Sequence, residues 1–233
     1  MEKLICLLWR AGDEPRAVFN ATLQERLPGV LAAAGATNIR LNLEDDIAAR
    51  GADLRQTRGT VQHDAVVQFW LPSANPLFRA EVDAALDACC AGWTGWVVAE
   101  STIIANTLHP ARAGERTAGW AQMAFLTVPQ GMAYTEWLKR WQGDHTLVAI
   151  ETQSNFEYVQ NVIVSTLKDG APPYVAIVEE CFAEAALTDP FTFFDAVGDP
   201  ARFKVNLDRM MRSCDRFIAP GTIDVIPTGQ YTY

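Results

Sequence analysis

Tyr134-Thr-Glu-Trp137-Leu-Lys-Arg-Trp141-Gln-Gly-Asp-His145-Thr-Leu-Val148 sets the frame for the rest of the chain. Trp137, Trp141, His145 and Val148 recur at helical spacing, which predicts one stripe on a helix over residues 133–152. The apolar run 120–128 before it reads as a strand, and 155–167 and 174–182 after it read as two more. Pro172-Pro173 punctuates the connection between those two. A helix over 200–218 and a last strand over 222–226 complete the order strand, helix, strand, strand, helix, strand.

The same order stands upstream. Residues 4–10 suit a strand buried on both faces, and 14–35 carries Phe19, Leu23, Leu27, Val30 and Leu31 at helical spacing, with Gly35 as its stop. Ile39, Leu41 and Leu43 alternate with polar neighbours over 38–43, as in a half-buried strand. A charged loop with one helical turn fills 44–60, and 65–71 is a strand. Residues 76–91 suit a helix with Pro76 in its first turn and Phe78, Val82 and Leu86 on one stripe, followed by a strand over 93–104. That order is the ferredoxin-like split unit, written twice.

Residue correspondence supports the repeat. A gapless shift of 118 sets Phe19 on Trp137, Leu23 on Trp141, Leu27 on His145 and Val30 on Val148. It also puts Arg40 and Asn42 at the places of Tyr158 and Gln160. In the second helix a shift of 125 sets Phe78 on Phe203, Asp83 on Asp208 and Cys89 on Cys214. Residues 1–105 are expected to form the first half and 119–233 the second, with the polar stretch 106–118 as linker.

One such unit leaves a bare sheet face opposite its helices, which must be covered. Two copies cover each other. The expected fold is therefore α+β, two ferredoxin-like halves packed as a pseudo-symmetric α+β barrel with helices outside. A ligand pocket is expected between sheet and helices. Internal pairing permits a monomer, and outer helices or sheet edges leave room for a homodimer.

Composition narrows the partners. At 49% hydrophobic and 20% charged, the 233 residues are neither disordered nor a coiled coil. Apolar runs fall well short of the roughly 20 residues a membrane helix needs. Nineteen basic against 28 acidic residues give a net charge of −9, which opposes phosphate backbones and anionic membranes. The first apolar stretch is too short for a signal peptide, and no cleavage-like site follows it. Cys6, Cys89, Cys90, Cys181 and Cys214 are odd in number and lack a CxxC pair, as expected of thiols in a reducing cytoplasm. His63, His109 and His145 are too widely spaced to suggest a metal cluster, and the common nucleotide, hydrolase and zinc-protease motifs are absent. No metal or cofactor is expected.

The aromatic helix, followed by a strand carrying Tyr158-Val159-Gln160-Asn161, resembles the EthD family of dimeric α+β-barrel proteins. Trp141 and His145 match the family's Trp-x-x-x-His motif, and the element order extends the likeness over most of 119–233. In the first half Leu23 and Leu27 stand at those two places. The family follows its histidine with Gly-Pro-Leu, whereas this chain has Thr146-Leu147-Val148, so the helix is expected to run on. The wider superfamily includes cofactor-free monooxygenases, polyketide cyclases, lactone isomerases and haem-degrading enzymes. The resemblance implies a fold and does not choose among those reactions.

His145 is the sharpest candidate, because packing alone does not explain an imidazole where the twin helix has Leu27. An unperturbed pKa near ~6.5 suits it to acid–base work, and a core histidine bonded to a carbonyl is the competing reading. By alternation Tyr158 and Gln160 share one strand face, Glu157 and Asn161 the other. Facing a pocket, Tyr158 and Gln160 would polarise a substrate carbonyl. One of Glu179 and Glu180 must face the covered side of an apolar strand. It would act as a catalytic acid or base, Glu180 being the one named, or else pair with Arg10, Arg40 or Arg212. Trp137, Trp141, Gln160, Asn161 and Phe191 are the candidate substrate contacts, Phe191 from a Phe-rich segment that would form a lid or merely cap the barrel.

The expected function is cofactor-independent proton transfer, as in an isomerase, cyclase or hydratase. Its substrate would be a small apolar oxygenated, aromatic or polyketide-like molecule, with His145 as general acid–base. A non-catalytic binding or accessory protein uses the same pocket. A haem-associated or cofactor-free monooxygenase is the third reading.

Overall fold

The computed structural model describes residues 1–59 and 62–233. β1 (Glu2–Trp9) sends Leu4, Cys6 and Leu8 to a helix-covered face and Ile5 and Leu7 to the opposite face. Both faces are covered, so the strand is apolar without alternation. α1 (Arg16–Ala33), β2 (Thr37–Leu43), β3 (Ala65–Leu71), α2 (Ala80–Asp87) and β4 (Gly92–Ile104) follow. Past 104 the order resumes with β5 (Trp120–Leu126) and a helix built from α3 (Tyr134–Leu138), a π turn (Lys139–His145) and α4 (Thr146–Thr152). Then come β6 (Glu157–Thr166), β7 (Ala176–Phe182), the single turn α5 (Pro190–Phe193), α6 (Pro200–Cys214) and β8 (Asp224–Thr232). Gly35, at φ +88°, ends α1 because an L side chain is strained there. Asp199 caps α6 by accepting from the Arg202 amide at 2.9 Å, and Pro200 fills the first position, where no N–H is needed.

The eight strands close an antiparallel barrel in the order β1-β3-β2-β8-β5-β7-β6-β4. Strands β1–β4 are ordered β4-β1-β3-β2 and strands β5–β8 are ordered β8-β5-β7-β6. Pairing of β2 with β8 and of β4 with β6 makes the two seams. Closure leaves no sheet edge to protect. Under α1 and α2 the outer faces bury Phe19, Leu23, Leu27, Leu41, Val67 and Phe69. Beneath α3, α4 and α6 they bury Trp137, Trp141, Tyr158, Val178 and Phe217. The barrel interior is divided. One end holds Ile5, Leu7, Val66, Trp96, Met123 and Phe125, and the other holds a network of charged and amide side chains. Among the described residues no helix is long and apolar enough to cross a membrane.

Five differences from the sequence reading matter. α2 begins at Ala80, leaving Phe78 in a turn and 75% exposed, so only Val82 and Leu86 make the stripe. The buried residues of α6 are Asn206, Met210 and Ser213, which match Val82, Leu86 and Cys89. The identities Asp83/Asp208 and Cys89/Cys214 therefore lie one residue out of structural register. In β2 the helix-facing residues are Ile39, Leu41 and Leu43, and in β6 they include Tyr158. Arg40 and Asn42 face the barrel interior instead, so Ile39 and Leu41 are the counterparts of Tyr158 and Gln160. A one-residue slip exchanges the two faces of a strand. The extra residue of the second copy lies between the helix and β6, because Phe19/Trp137, Leu23/Trp141 and Leu31/Ala149 keep one shift through the π turn whereas Ile39/Tyr158 is one residue further on. Past the π turn Ala149, not Val148, continues the buried stripe. Finally, β8 runs on to Thr232, because its pairing with β2 continues beyond Pro227.

Candidate active site

β7 lies between β5 and β6, and Glu180 on it stands directly opposite Gln122 on one side and Tyr158 on the other. Alternation separates the two neighbouring carboxylates. Glu179 enters the barrel interior, where it accepts from Arg40 Nη1 at 2.6 Å, Asn42 at 2.7 Å, and Gln68 and Gln230. That is the arginine pairing anticipated for one of the pair. Arg40 and the three amides hold the Glu179 carboxyl below the ordinary range against the cost of its burial. Glu180 emerges between the sheet and the helices of the second half. It accepts from Asn155 Nδ2 at 3.0 Å and Gln122 Nε2 at 3.1 Å, and no cation offsets its burial. Burial therefore pushes it up to about 7, where acid and base forms are both populated near neutral pH.

Tyr158 is also buried, and burial with the nearby Glu180 charge raises its phenol well above the ordinary value. It is thus a protonated donor at neutral pH. Gln160 Nε2 donates to Tyr158 Oη and to Thr146 Oγ1, both at 2.8 Å. Because the phenol oxygen already accepts from Gln160, its own proton is left to donate elsewhere. Thr146 is the first residue beyond the π turn, so that irregularity carries the group anchoring Gln160.

His145 closes the π turn, with its ring 4.7 Å from that of Phe217 and Nδ1 2.9 Å from Ser213 Oγ. Burial, with no carboxylate beside it, lowers the imidazole to about 4. It is neutral at pH 7, unlike the poised acid–base expected of it. Its bond to Ser213 joins the two helices where the first half has Leu27 and Cys89.

Glu180, Tyr158 and His145 line a cavity of about 210 Å³ walled also by Trp141, Phe217, Ile223 and Val225, whereas Gln160, expected to contact substrate, stands outside the lining and reaches it only through Tyr158. Gln56, Gln122, Phe193 and Phe194 are shared with an outer chamber of about 540 Å³, which gives the cavity its antechamber. The inner space is smaller than the roughly 300–1,000 Å³ of a drug-sized pocket, so a ligand of more than one or two rings extends into the outer chamber. A haem macrocycle does not fit there. Among the described residues no group of three or more His, Cys, Asp or Glu side chains is placed to hold a metal ion.

Of the other sequence candidates, Trp141 lines the cavity, while Trp137 lies beneath it and donates Nε1 to the Phe217 carbonyl at 3.1 Å. Asn161 faces the barrel interior and donates to the Ile177 carbonyl, because alternation turns it away from Tyr158. Phe191 stacks on Phe203 at 4.4 Å, and its neighbours Phe193 and Phe194 form the cavity wall instead. The short helix α5 rotates alternate phenylalanines to different sides. Sequence reasoning missed Gln122, Asn155 and Ser213. Gln122 had a signal, a lone amide in an apolar strand, whereas Asn155 and Ser213 meet their partners only through tertiary packing.

No protein-family model matches the chain, nor does any curated protein. A solved structure of an anthrone oxidase-like protein superposes with a TM-score of 0.57 at 12% identity, covering 100% of this chain and 92% of that one. A mutant chlorite dismutase from Candidatus Nitrospira defluvii matches at a TM-score of 0.40 and 12% identity, over 97% of this chain and 90% of that one. The likeness is one of fold, a closed eight-stranded antiparallel barrel with helices outside.

Proposed function

We propose that the cavity performs proton transfer on a small enolisable aromatic ketone, with Glu180 as the acid–base and Tyr158 as the donor to the carbonyl oxygen. The observation that carries this is a buried carboxyl held near 7 directly opposite a protonated phenol. Glu180 as carboxylate takes a proton from a carbon conjugated with the carbonyl, which in anthrone is the methylene across the central ring. The C–H electron pair moves through the conjugated ring, and the carbonyl oxygen becomes an enolate held by the Tyr158 hydroxyl. Return of the proton from Glu180, to the same carbon or to a conjugated one, gives exchange or isomerisation. Gln160 keeps the Tyr158 proton directed away from itself. Neutral His145 supplies a polar edge among Trp141 and Phe217 rather than the transferred proton. We read the chain as two ferredoxin-like halves, 1–105 and 119–233, joined by 106–118. The second half is EthD-like and carries the one competent pocket.

Anthrone is the probe, given the name of the structural neighbour and the aromatic walls of the two connected chambers. Under nitrogen in deuterated buffer, wild-type protein accelerates deuterium uptake at the anthrone methylene. Glu180→Gln abolishes the acceleration, and Tyr158→Phe slows it by about 10²-fold, the scale of one lost oxyanion donor. Exchange no faster than in buffer alone overturns the assignment.

A further inference from the structure

We propose that the polar end of the barrel is a second binding site, for a neutral polyhydroxylated molecule of one or two sugar units. It lies inside the sheet, on the opposite face from Glu180, and opens as a cavity of about 430 Å³. Its floor is made by the inward residues of several strand ends, among them Lys3, Arg40, Gln68, Glu157 and Gln230. The fold itself does not call for them, since the other end of the same barrel is filled by Ile5, Leu7, Val66, Trp96, Met123 and Phe125. Buried ion pairs are commonly no more stable than apolar residues of equal volume, so their presence at one end points to a use.

Hydrogen-bond accounting indicates what is missing. The carboxylates are saturated. Glu157 accepts from Arg40 at 3.0 Å, Gln230 at 2.9 Å and Cys181 at 3.3 Å, and Glu179 accepts from Arg40 and three amides. The donors are in surplus. Lys3 has three N–H groups and gives one bond, to Glu100 at 2.5 Å, and Arg40 uses two of its five. Gln68, only 2% exposed, spends its amide on Asn42 and Glu179, while its Oε1 has no partner among the described residues. A fitting ligand therefore accepts from Lys3 and Arg40 and donates to Gln68. Hydroxyl groups do both. Two cations, Lys3 and Arg40, against Glu100, Glu157 and Glu179 leave one net negative charge, which selects against carboxylates and phosphates.

Trp70 at the mouth supplies an apolar face on which a sugar ring can lie. The stretch 106–118, read from sequence as a linker, crosses this mouth rather than hanging free. Asn106 closes a turn on His109, the His109 ring meets Phe156 at 4.6 Å, and the amides of Gly114 and Thr117 donate to Thr232 and Gln230 at 2.8 Å. Asn106 and Thr117 both line the cavity.

The test is calorimetric titration of the full chain with D-glucose, myo-inositol and sucrose in turn. At least one saturates with a Kd of about 10 mM or tighter, and Trp70→Ala and Gln68→Met each weaken it about tenfold or more. Anthrone binding in the other cavity is unchanged in Trp70→Ala, whose side chain sits at the rim, and its circular dichroism spectrum is expected to match the wild type. Failure of all three polyols to bind overturns the proposal. So does equal affinity in Trp70→Ala, or tighter binding of glycine or inorganic phosphate than of every polyol.

Discussion

His145 Nδ1 and Ser213 Oγ, 2.9 Å apart, hold the two helices of the second half together at a level where the first half has Leu27 and Cys89. One apolar pair position has thus become a polar bond beside a cavity. His145→Leu leaves the buried Ser213 hydroxyl unpaired and destabilises the protein by about 1–3 kcal/mol. Adding Ser213→Cys, which restores the first-half chemistry, recovers most of that loss. Urea unfolding of the two single variants and the double variant measures it, and strictly additive losses would refute the pairing. The same imidazole sets a pH dependence. Its folded value of about 4 lies below the ordinary 6.5, so the unfolded chain takes up the proton first. Stability falls as pH drops from 6.5 toward 4, and His145→Leu flattens that slope.

Glu180 gives a slope of the opposite sign over an overlapping range, so each contribution is read as the difference between wild type and the variant lacking that group. Its folded value of about 7 exceeds the ordinary 4.5, so the folded state holds the extra proton between them. Stability from this group is full below pH 4.5 and is lost as pH rises through 7, by up to about 3 kcal/mol. Glu180→Gln is neutral at every pH and gains on wild type as pH rises from 5 to 8, as thermal melts at matched ionic strength show. Anthrone deuterium exchange runs the other way, rising with pH through about 7 as the carboxylate forms.

Neighbouring Glu179 behaves as a structural group. Arg40, Asn42, Gln68 and Gln230 converge on it, so Glu179→Leu leaves Arg40 with Glu157 alone and three buried amides without their acceptor, and costs about 3–5 kcal/mol. Glu180→Gln retains a native denaturation midpoint at pH 5. If guanidinium titrations give equal losses for the two, the division of roles between them fails.

Tyr158→Phe removes one donor without emptying the wall, so anthrone affinity changes by less than about tenfold while exchange falls further. Gln160→Leu leaves the phenol but frees its proton to turn. Exchange then drops with little loss of binding, and Gln160→Glu, whose carboxylate accepts the Tyr158 proton instead of donating to the phenol oxygen, does not restore it. Parallel kcat and Kd measurements separate these effects.

Much of the barrel was legible in sequence because its causes are local. The apolar run in β1, the stripe Trp137–Trp141 and the Asp199-Pro200 helix start each announce their element through neighbouring residues. Repetition of the order then required two sheets to cover each other. Trp141, His145, Tyr158 and Glu180 were nameable as polar or aromatic residues in otherwise apolar elements, and the structure brings those four to one cavity. Asn161 and Phe191 were named beside them and lie elsewhere.

Register and protonation were decided by the tertiary structure. One extra residue between Ala149 and Tyr158, past the helix, turns Arg40 and Asn42 into the barrel while Tyr158 faces the helices. Nothing in the local pattern of either strand records that offset. Nor does it record which of two adjacent glutamates meets Arg40 and which is buried with amides alone. The sequence determined by itself that a strand would carry a carboxylate to each face. Whether that carboxylate is an anchored anion or an acid near neutrality depends on the charges and the solvent that folding brings to it, or removes.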